Sequence, residues 1–417
     1  MHWARKRHSL STYRRGPINL VYLGVSGFPF GTAPIQKMRL VAKALSCAEV
    51  RVIVICSRAF HREGKVPPIR KHGRFEGTEY IYTPGTPYRD ARFTVRNYRK
   101  IQGVLNEICL LFRLSTIGRL DVAIVASGSF PAFLGYYVLS RIVGFKIISD
   151  YAEYLSGFPA RHKWSERLND YLRDHVMIRM ADGIIPISHF LEQHVRQLAP
   201  ETPLIRVPVL VDVSRFADQK PANSECYFLF CSSLSYLEVM EFILSAFDDL
   251  SFPDEQVFLY LVLSGRPEQF TAVNRSIARC RNNARVRVLH DLTDTELTAL
   301  YAGARALLIP LRDTTQDMAR FPHKIGEYLA TGNPVITTRF GEVARYLTDG
   351  VNAIMTHGHS TREYADKMKW VINNPGLSRQ IGFEGQRVAR AQFDYRNHSR
   401  RLVEFLRGVV STSEQKK

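Results

Sequence analysis

Residues 320–338 read RFPHKIGEYLATGNPVITT and combine three local signals. Pro322 suits the first turn of a helix, where its missing N–H costs no hydrogen bond. Gly332 suits the position just past a helix end, and Pro334 prevents the helix from continuing. The stretch therefore predicts a short helix that opens near His323 and is followed by a turn and an apolar strand.

This predicted helix carries a base and an acid on one face. Lys324 and Glu327 are three residues apart, which places them on the same side of a helix. They can form an ordinary surface ion pair, which contributes less than about 1 kcal/mol. Alternatively, Lys324 meets a phosphate and Glu327 accepts hydrogen bonds from two ribose hydroxyls. The apolar strand predicted at 306–310 favours this ligand site, because α/β sheets bind ligands at the carboxyl ends of parallel strands.

The chain reads as two α/β halves joined by a polar linker. Predicted strands alternate with amphipathic helices in each half. With 417 residues, the chain is too long for one ordinary core. We therefore predict an α/β protein with two Rossmann-like domains that face each other across a cleft. The predicted segments are a basic tail at 1–17, a first domain at 18–216, a linker at 217–226, a second domain at 227–390, and a C-terminal helix and tail at 391–417 that packs on the first domain.

Further candidate ligand residues follow predicted strands of the first half. The loop GVSGFPFGT at 24–32 includes Gly31 and Thr32 and joins the first strand to the first helix. Its glycines do not follow the GxGxxG spacing, which disfavours a nicotinamide or flavin site. Its backbone N–H groups are still suited to approach a phosphate or a sugar. Asp150 and Glu153 follow the fourth predicted strand, again at an edge where ligands bind.

Charge and cysteine usage limit the partners. A net charge of +18 and a pI near 9.7 indicate anionic partners, such as nucleic acid, acidic lipid or phosphorylated substrates. The basic residues are spread out and no recognition helix occurs, so we expect no specific nucleic-acid binding. Six cysteines without a CxxC pair favour a reducing compartment and argue against structural zinc. No secretory signal or transmembrane helix is predicted, so we expect a cytoplasmic protein.

Residues 89–113 read RDARFTVRNYRKIQGVLNEICLLFR and combine basic flanks with apolar residues at helical spacing. This pattern fits a helix that lies on a membrane surface. It fits equally well an ordinary surface helix whose apolar side faces the core. Each basic group near anionic lipid contributes about 1 kcal/mol. We expect an anionic membrane surface as a partner, with the protein peripheral on the inner face of the cell membrane.

Four stretches, taken in order, resemble the retaining GT-B glycosyltransferases of family 4, also called group 1. They are FGTA at 30–33, ADG at 181–183 with Ile187 and Ser188, VPVLVD at 207–212, and FPHKIGEYLA at 321–330. The last is the most specific, and the resemblance spans residues 18–406. It implies transfer of a sugar, with retention, from a nucleoside-diphosphate sugar to a glycan or polyprenyl-linked acceptor. Such enzymes serve cell-surface polysaccharide or glycolipid biosynthesis, and we expect neither a cofactor nor a metal.

The resemblance also implies roles for individual residues. The implied catalytic residues, which supply positive charge, are Lys324, Arg320 and Arg266. The implied donor-binding residues are Glu327, Phe321, Pro322, His323, Gly31, Thr32, Leu289 and Leu292. Asp150 and Glu153 lie on the implied acceptor side.

The sequence departs from the family pattern at three positions. The family often has a second glutamate eight positions before the one matched by Glu327, and here that position is Ala319. Asp317 is a substitute two residues earlier. Ser233 and Glu238 stand where the family often has an arginine and a lysine. These departures leave an alternative open, namely a non-catalytic nucleotide-sugar-binding or scaffold protein on a GT-B fold.

Overall fold

Two mainly parallel sheets organise the chain in the computed structural model, which describes residues 17–48, 50–64, 66–158, 163–250 and 256–411. The first sheet contains β1 (Asn19–Val25), β2 (Arg51–Cys56), β3 (His72–Phe75), β4 (Thr78–Tyr82), β5 (Val122–Val125), β6 (Lys146–Tyr151) and β7 (Gly183–Pro186). Its order is β3-β4-β2-β1-β5-β6-β7, and only β3 and β4 pair antiparallel. These strands are short apolar runs because helices cover both faces of the sheet.

The second sheet repeats this design with six parallel strands. They are β8 (Cys226–Ser233), β9 (Val257–Ser264), β10 (Val286–Leu289), β11 (Ala306–Ile309), β12 (Val335–Thr338) and β13 (Ile354–Thr356), in the order β10-β9-β8-β11-β12-β13. The predicted α/β fold with two Rossmann-like domains is thereby confirmed. Most of residues 1–17, predicted as a basic tail, lie outside the described residues.

Helices cover both sheets. In the first half they are α1 (Ala33–Ser46), α2 (Phe93–Thr116), α3 (Phe130–Val143), α4 (Trp164–Tyr171), α5 (Ile178–Met180) and α6 (His189–Leu198). In the second half they are α7 (Leu237–Asp248), α8 (Pro267–Ala278), α9 (Asp294–Gly303), α10 (Thr315–Ala319), α11 (Lys324–Ala330), α12 (Thr361–Asn373) and α13 (Pro375–Val388), and α14 (Ser399–Ser411) ends the described chain. Leu402 and Leu406 of α14 are buried in one apolar cluster with Met38 and Val41 of α1. The end of the described chain therefore packs on the first domain.

Residues 204–211 close the first half without a strand of either sheet, and they form only isolated bridges and hydrogen bonds. The Ile205 N–H donates to the Ile184 carbonyl at 3.1 Å, and the Val207 N–H donates to the Pro186 carbonyl at the same distance. Pro208 has no N–H to extend this ladder.

Polar contacts join the two domains along one side of the cleft. The buried Glu342 carboxylate accepts from the His189 N–H and from the Arg206 guanidinium, each at 2.7 Å. The Ser188 hydroxyl, which also caps α6, donates to the Ala319 carbonyl. The residues that lead into α11 are thus held against the first domain.

Glu107 makes the stability of the first domain depend on pH. It is buried on the inner side of α2, accepts a hydrogen bond from the Tyr136 hydroxyl at 3.1 Å, and burial raises its pKa to about 7. The folded protein therefore holds this proton more tightly than the unfolded chain does. As pH rises from 4.5, the ordinary value, to about 7, the free energy of unfolding should fall by about 3 kcal/mol and then level off.

Urea unfolding of the Glu107→Gln variant across this pH range measures the effect. The amide cannot ionise, so the free energy of unfolding of this variant should not fall between pH 4.5 and about 7. The variant should therefore be more stable than the parent above about pH 7. Glu404→Gln, on the exposed part of α14, is the control and should keep the decline. An unchanged pH profile in Glu107→Gln would assign the decline to other groups.

Candidate active site

The candidate site lies where the strand order of the second sheet reverses. β8 is the first strand of this sheet, and its neighbours are β9 on one side and β11 on the other. A crevice opens between strand ends at such a switch point. The chain leaves β11 through α10 and reaches α11, which starts at Lys324 with His323 as its N-cap residue. The predicted helix therefore lies at the edge of the sheet where α/β proteins bind ligands.

Lys324 is half-buried beside the end of β8. The Cys231 sulfur and the Glu327 carboxylate raise the pKa of Lys324 above its ordinary value, although burial opposes this. Beneath it, the Cys231 N–H donates to the Tyr328 hydroxyl at 3.1 Å, and the Tyr328 ring packs edge-to-face on Tyr301. Packed aromatic rings thus support a lysine that is charged at neutral pH.

Glu327 has a partner that the sequence did not reveal. Its Oε1 lies 3.7 Å from Nη1 of Arg215, which also forms an ion pair with Asp294. Arg215 belongs to the short helical turn Val213–Phe216 at the end of the first domain. The only sequence signal was its position three residues after the end of the VPVLVD stretch. At 3.7 Å this is an ion pair without a direct hydrogen bond, so Glu327 retains acceptor capacity for a ligand.

Lys37 of α1 faces the second domain from across the cleft. It is 5% exposed and forms an ion pair with Asp150 near the end of β6. Sequence analysis identified Asp150 but missed Lys37, one of several basic residues on α1. Burial lowers the pKa of His323, Glu327 opposes this, and the nearby cations Lys324, Arg215 and Lys37 add to it. The His323 imidazole is therefore neutral at neutral pH. Charged side chains of both domains lie close enough to change its pKa.

Arg320 is held by a buried carboxylate. Its Nε lies 2.8 Å from Asp317 Oδ1, at an angle that makes this an ion pair without a hydrogen bond. Asp317 also accepts from the backbone N–H of Arg312 at 2.8 Å and from the Arg312 side chain. The Arg320 guanidinium lies over the Tyr236 ring, 4.7 Å from its centre. Asp317, considered above as a substitute for the family glutamate, is thus engaged in positioning two arginines.

Removal of the Asp317 carboxylate should destabilise the second domain. Asp317→Ala leaves two arginines without their buried partner, and we expect a loss of about 3 to 5 kcal/mol in the free energy of unfolding. Chemical denaturation measures it. Glu404→Ala removes the exposed ion pair with Arg400 and should cost less than about 1 kcal/mol. Equal losses in the two variants would contradict this structural role of Asp317.

Local packing restricts the predicted residues that precede α11 and α1. Phe321 is buried and its ring packs on Tyr346 and Phe393, so only its backbone is free to meet a ligand. Gly31 and Thr32 directly precede α1, and a Cβ at Gly31 would lie 2.6 Å from the Ile35 side chain. The loop residue therefore has to stay a glycine unless Ile35 moves.

The other four predicted residues differ in how far their side chains are exposed. Arg266 is exposed and caps α8, while its own N–H donates to the Gln269 side chain at 2.9 Å. Glu153 is exposed, and its carbonyl accepts from Arg173 at 3.5 Å. Leu289 and Leu292 are partly buried, and both pack against the larger apolar cluster.

Within the described residues, no group of three or more His, Cys, Asp or Glu side chains is arranged to hold a metal ion. A search of the same residues for a helix with the length and apolar character to cross a membrane also finds none.

Comparisons with known proteins agree with this architecture. Residues 214–388 match the family model of the group 1 glycosyl transferases. The comparison with curated proteins finds no match. Sucrose-phosphate synthase from Thermosynechococcus elongatus is similar in structure with a TM-score of 0.74 at 14% identity, over 95% of this chain and 100% of its own.

Two further solved structures share the fold. Anabaena HepE in complex with UDP-glucose gives a TM-score of 0.63 at 16% identity, over 95% of this chain and 99% of its own. The trehalose 6-phosphate synthase of Burkholderia multivorans gives 0.62 at 14% identity, over 96% and 98%. These similarities confirm the GT-B fold, and the matched residues 214–388 include Arg215, Lys324 and Glu327. The part of the chain that covers most of the second domain is thus similar to the group 1 glycosyl transferases.

Proposed function

We propose that the protein transfers a sugar, with retention, from a nucleoside-diphosphate sugar to a glycan or polyprenyl-linked acceptor. The observation that carries the proposal is the Lys324 and Glu327 pair at the switch point of the second sheet, inside the part of the chain that matches the family. HepE, which shares the fold, was crystallised with UDP-glucose. We place the protein in family 4 and in cell-surface polysaccharide or glycolipid biosynthesis.

The donor would lie along α11. Glu327 would accept hydrogen bonds from the two ribose hydroxyls. Its carboxylate oxygens can do so because the ion pair with Arg215 involves no direct hydrogen bond. Lys324 and the backbone N–H groups of Phe321 and His323 would hold the diphosphate. Leu289 and Leu292 would contact the base, and Gly31 and Thr32 would approach the donor from the first domain. Arg266 and Arg320 would add positive charge near the leaving group.

The proposed reaction depends more on electrostatic stabilisation of developing charge than on acid–base catalysis. The bond between the sugar and the diphosphate breaks, so positive charge develops on the sugar and negative charge on the diphosphate. Lys324 stabilises the leaving group, and preorganised charge of this kind is a large catalytic factor. The acceptor hydroxyl forms the new bond on the same face of the sugar, on the side of Asp150 and Glu153, and its proton passes to the departing diphosphate oxygen. We expect no metal and no cofactor in this step.

Donor binding is the first test. Thermal unfolding is measured with UDP, GDP and a panel of their sugars, because a ligand that binds only the folded state raises the melting temperature. At least one nucleotide sugar should raise the melting temperature. When its sugar is transferred to an acceptor without hydrolysis, NMR of the product should show the same anomeric configuration as in the donor. A protein that no nucleotide stabilises would contradict the proposal.

The departures at Ser233, Glu238 and Ala319 favour one second candidate, a nucleotide-sugar-binding scaffold. Glu238 illustrates the change, because it forms an ion pair with Arg312 at 3.1 Å where the family often has a lysine. Stabilisation by a nucleotide without turnover on any extracted glycan or lipid acceptor would support this candidate. We further propose a cytoplasmic location, peripheral on the inner face of the membrane.

A further inference from the structure

Helices α2, α3 and α4 form one layer on a single face of the first sheet. Each of these helices connects a strand to one that lies nearer the β7 end of the sheet order. Right-handed crossovers that lead in one direction place their helices on the same side of the sheet. α3 contacts both α2 and α4. Leu111 of α2 and Phe133 of α3 are buried in the same apolar cluster, which fixes the inner side of this layer.

The outer side of this layer is unusually apolar. Among the described residues, seventeen large apolar side chains are strongly exposed, and thirteen of them fall between residues 93 and 171. Nine of these lie in three lines, one along each helix, with three side chains in each line at spacings of three, four or seven residues. This outer face consists of Ile101, Leu105 and Phe112 on α2, Leu134, Val138 and Ile142 on α3, and Trp164, Leu168 and Tyr171 on α4. Monomers rarely leave so large an apolar patch without a partner.

The charges around the outer face are mostly basic. The three helices carry Arg96, Arg99, Lys100, Arg113, Arg141 and Arg167. Of their three acids, Glu107 and Asp170 are buried, and only Glu166 is partly exposed. Apolar stripes with basic neighbours fit an anionic leaflet. A second copy of the chain fits less well, because a symmetric contact would bring like charges together.

We propose that the outer face of α2, α3 and α4 docks on an anionic lipid bilayer. The orientation that follows rests on the proposed function. Helices that cover a parallel sheet run against its strands, so the starts of α2 and α3 lie at the same edge as Asp150 and the cleft. A docked protein therefore presents the acceptor side of the cleft next to the bilayer, where a polyprenyl-linked acceptor is held.

Cosedimentation of the full-length protein with lipid vesicles tests this docking. Vesicles of phosphatidylcholine alone are compared with vesicles containing one-third phosphatidylglycerol. The test variant is the double substitution Leu105→Glu and Ile142→Glu, at side chains 58% and 66% exposed. The matched control is Leu377→Glu on α13, where the side chain is 57% exposed in the other domain. Each substitution adds an acid at an exposed apolar position, so the folding cost of each should be small.

We expect the parent and Leu377→Glu to sediment with the anionic vesicles and the double variant to lose at least tenfold in vesicle affinity. Nucleotide-sugar stabilisation should be equal in all three proteins, which separates docking from donor binding. Unchanged sedimentation of the double variant would overturn the proposal and assign binding to another basic region. A parent that forms dimers, which the double variant dissociates, and that ignores vesicles would also overturn it, in favour of a second copy.

Discussion

Replacement of Lys324 by Met should lower kcat by about 100- to 1,000-fold, because loss of one preorganised group that stabilises developing charge costs this much. The raised pKa of Lys324 means that the side chain is charged throughout the neutral range. The parent should therefore lose no activity through deprotonation of Lys324 as the pH rises across the neutral range. Steady-state kinetics with the donor identified by thermal unfolding measures the effect.

Lys367→Met is the matched control for this substitution. Lys367 lies on α12 of the same domain, and its Nζ forms an ion pair with Asp349 at 2.8 Å. Its loss removes one positive charge and one ion pair at the protein surface, so turnover should stay within about twofold of the parent. A Lys324→Met variant that turns over as fast as Lys367→Met would remove Lys324 from the catalytic group.

Replacement of Glu327 by Ala should weaken binding of the nucleotide by about 10- to 100-fold while the protein stays folded. The estimate follows from hydrogen bonds to a charged acceptor, which contribute about 1.5 to 3 kcal/mol each. Titration calorimetry with UDP or GDP gives the affinity directly. The same titration with a 2′-deoxy nucleotide should show a smaller difference between parent and variant, because one of the two hydroxyls is already absent.

Asp294 provides the control for Glu327. Both acids pair with Arg215, so Asp294→Ala also takes a partner from this arginine but leaves the ribose acceptor in place. We expect Asp294→Ala to bind the nucleotide within about threefold of the parent affinity. Equal losses in both variants would mean that Glu327 acts by holding Arg215, and the ribose assignment would then be wrong.

Both predictions depend on a helix whose position the local sequence determines. Pro322, Gly332 and Pro334 determine where α11 starts and where the chain turns toward β12, because these residues restrict the backbone whatever surrounds them. The three-residue spacing of Lys324 and Glu327 follows from the helix itself. The position of α11 at a switch point followed from the alternation of strands and helices.

Contacts between distant segments could not be predicted in the same way. The Lys37 and Asp150 ion pair joins residues that are 113 positions apart, and Arg215 reaches Glu327 from the other end of the linker. No periodicity relates such residues, because their approach depends on how two sheets pack. The same holds for Phe321, whose ring the tertiary structure buries among Tyr346 and Phe393.

The sequence by itself determined the class of fold, the two α/β series and the helix that carries the candidate donor site. Glycine, proline and the spacing of apolar residues act over a few residues, and such short-range constraints can be recognised from the sequence alone. The tertiary structure alone decided which cations face Glu327 and His323 and which sides of α2, α3 and α4 remain outside the core. A helix has several faces, and only packing against its neighbours selects the one that is buried.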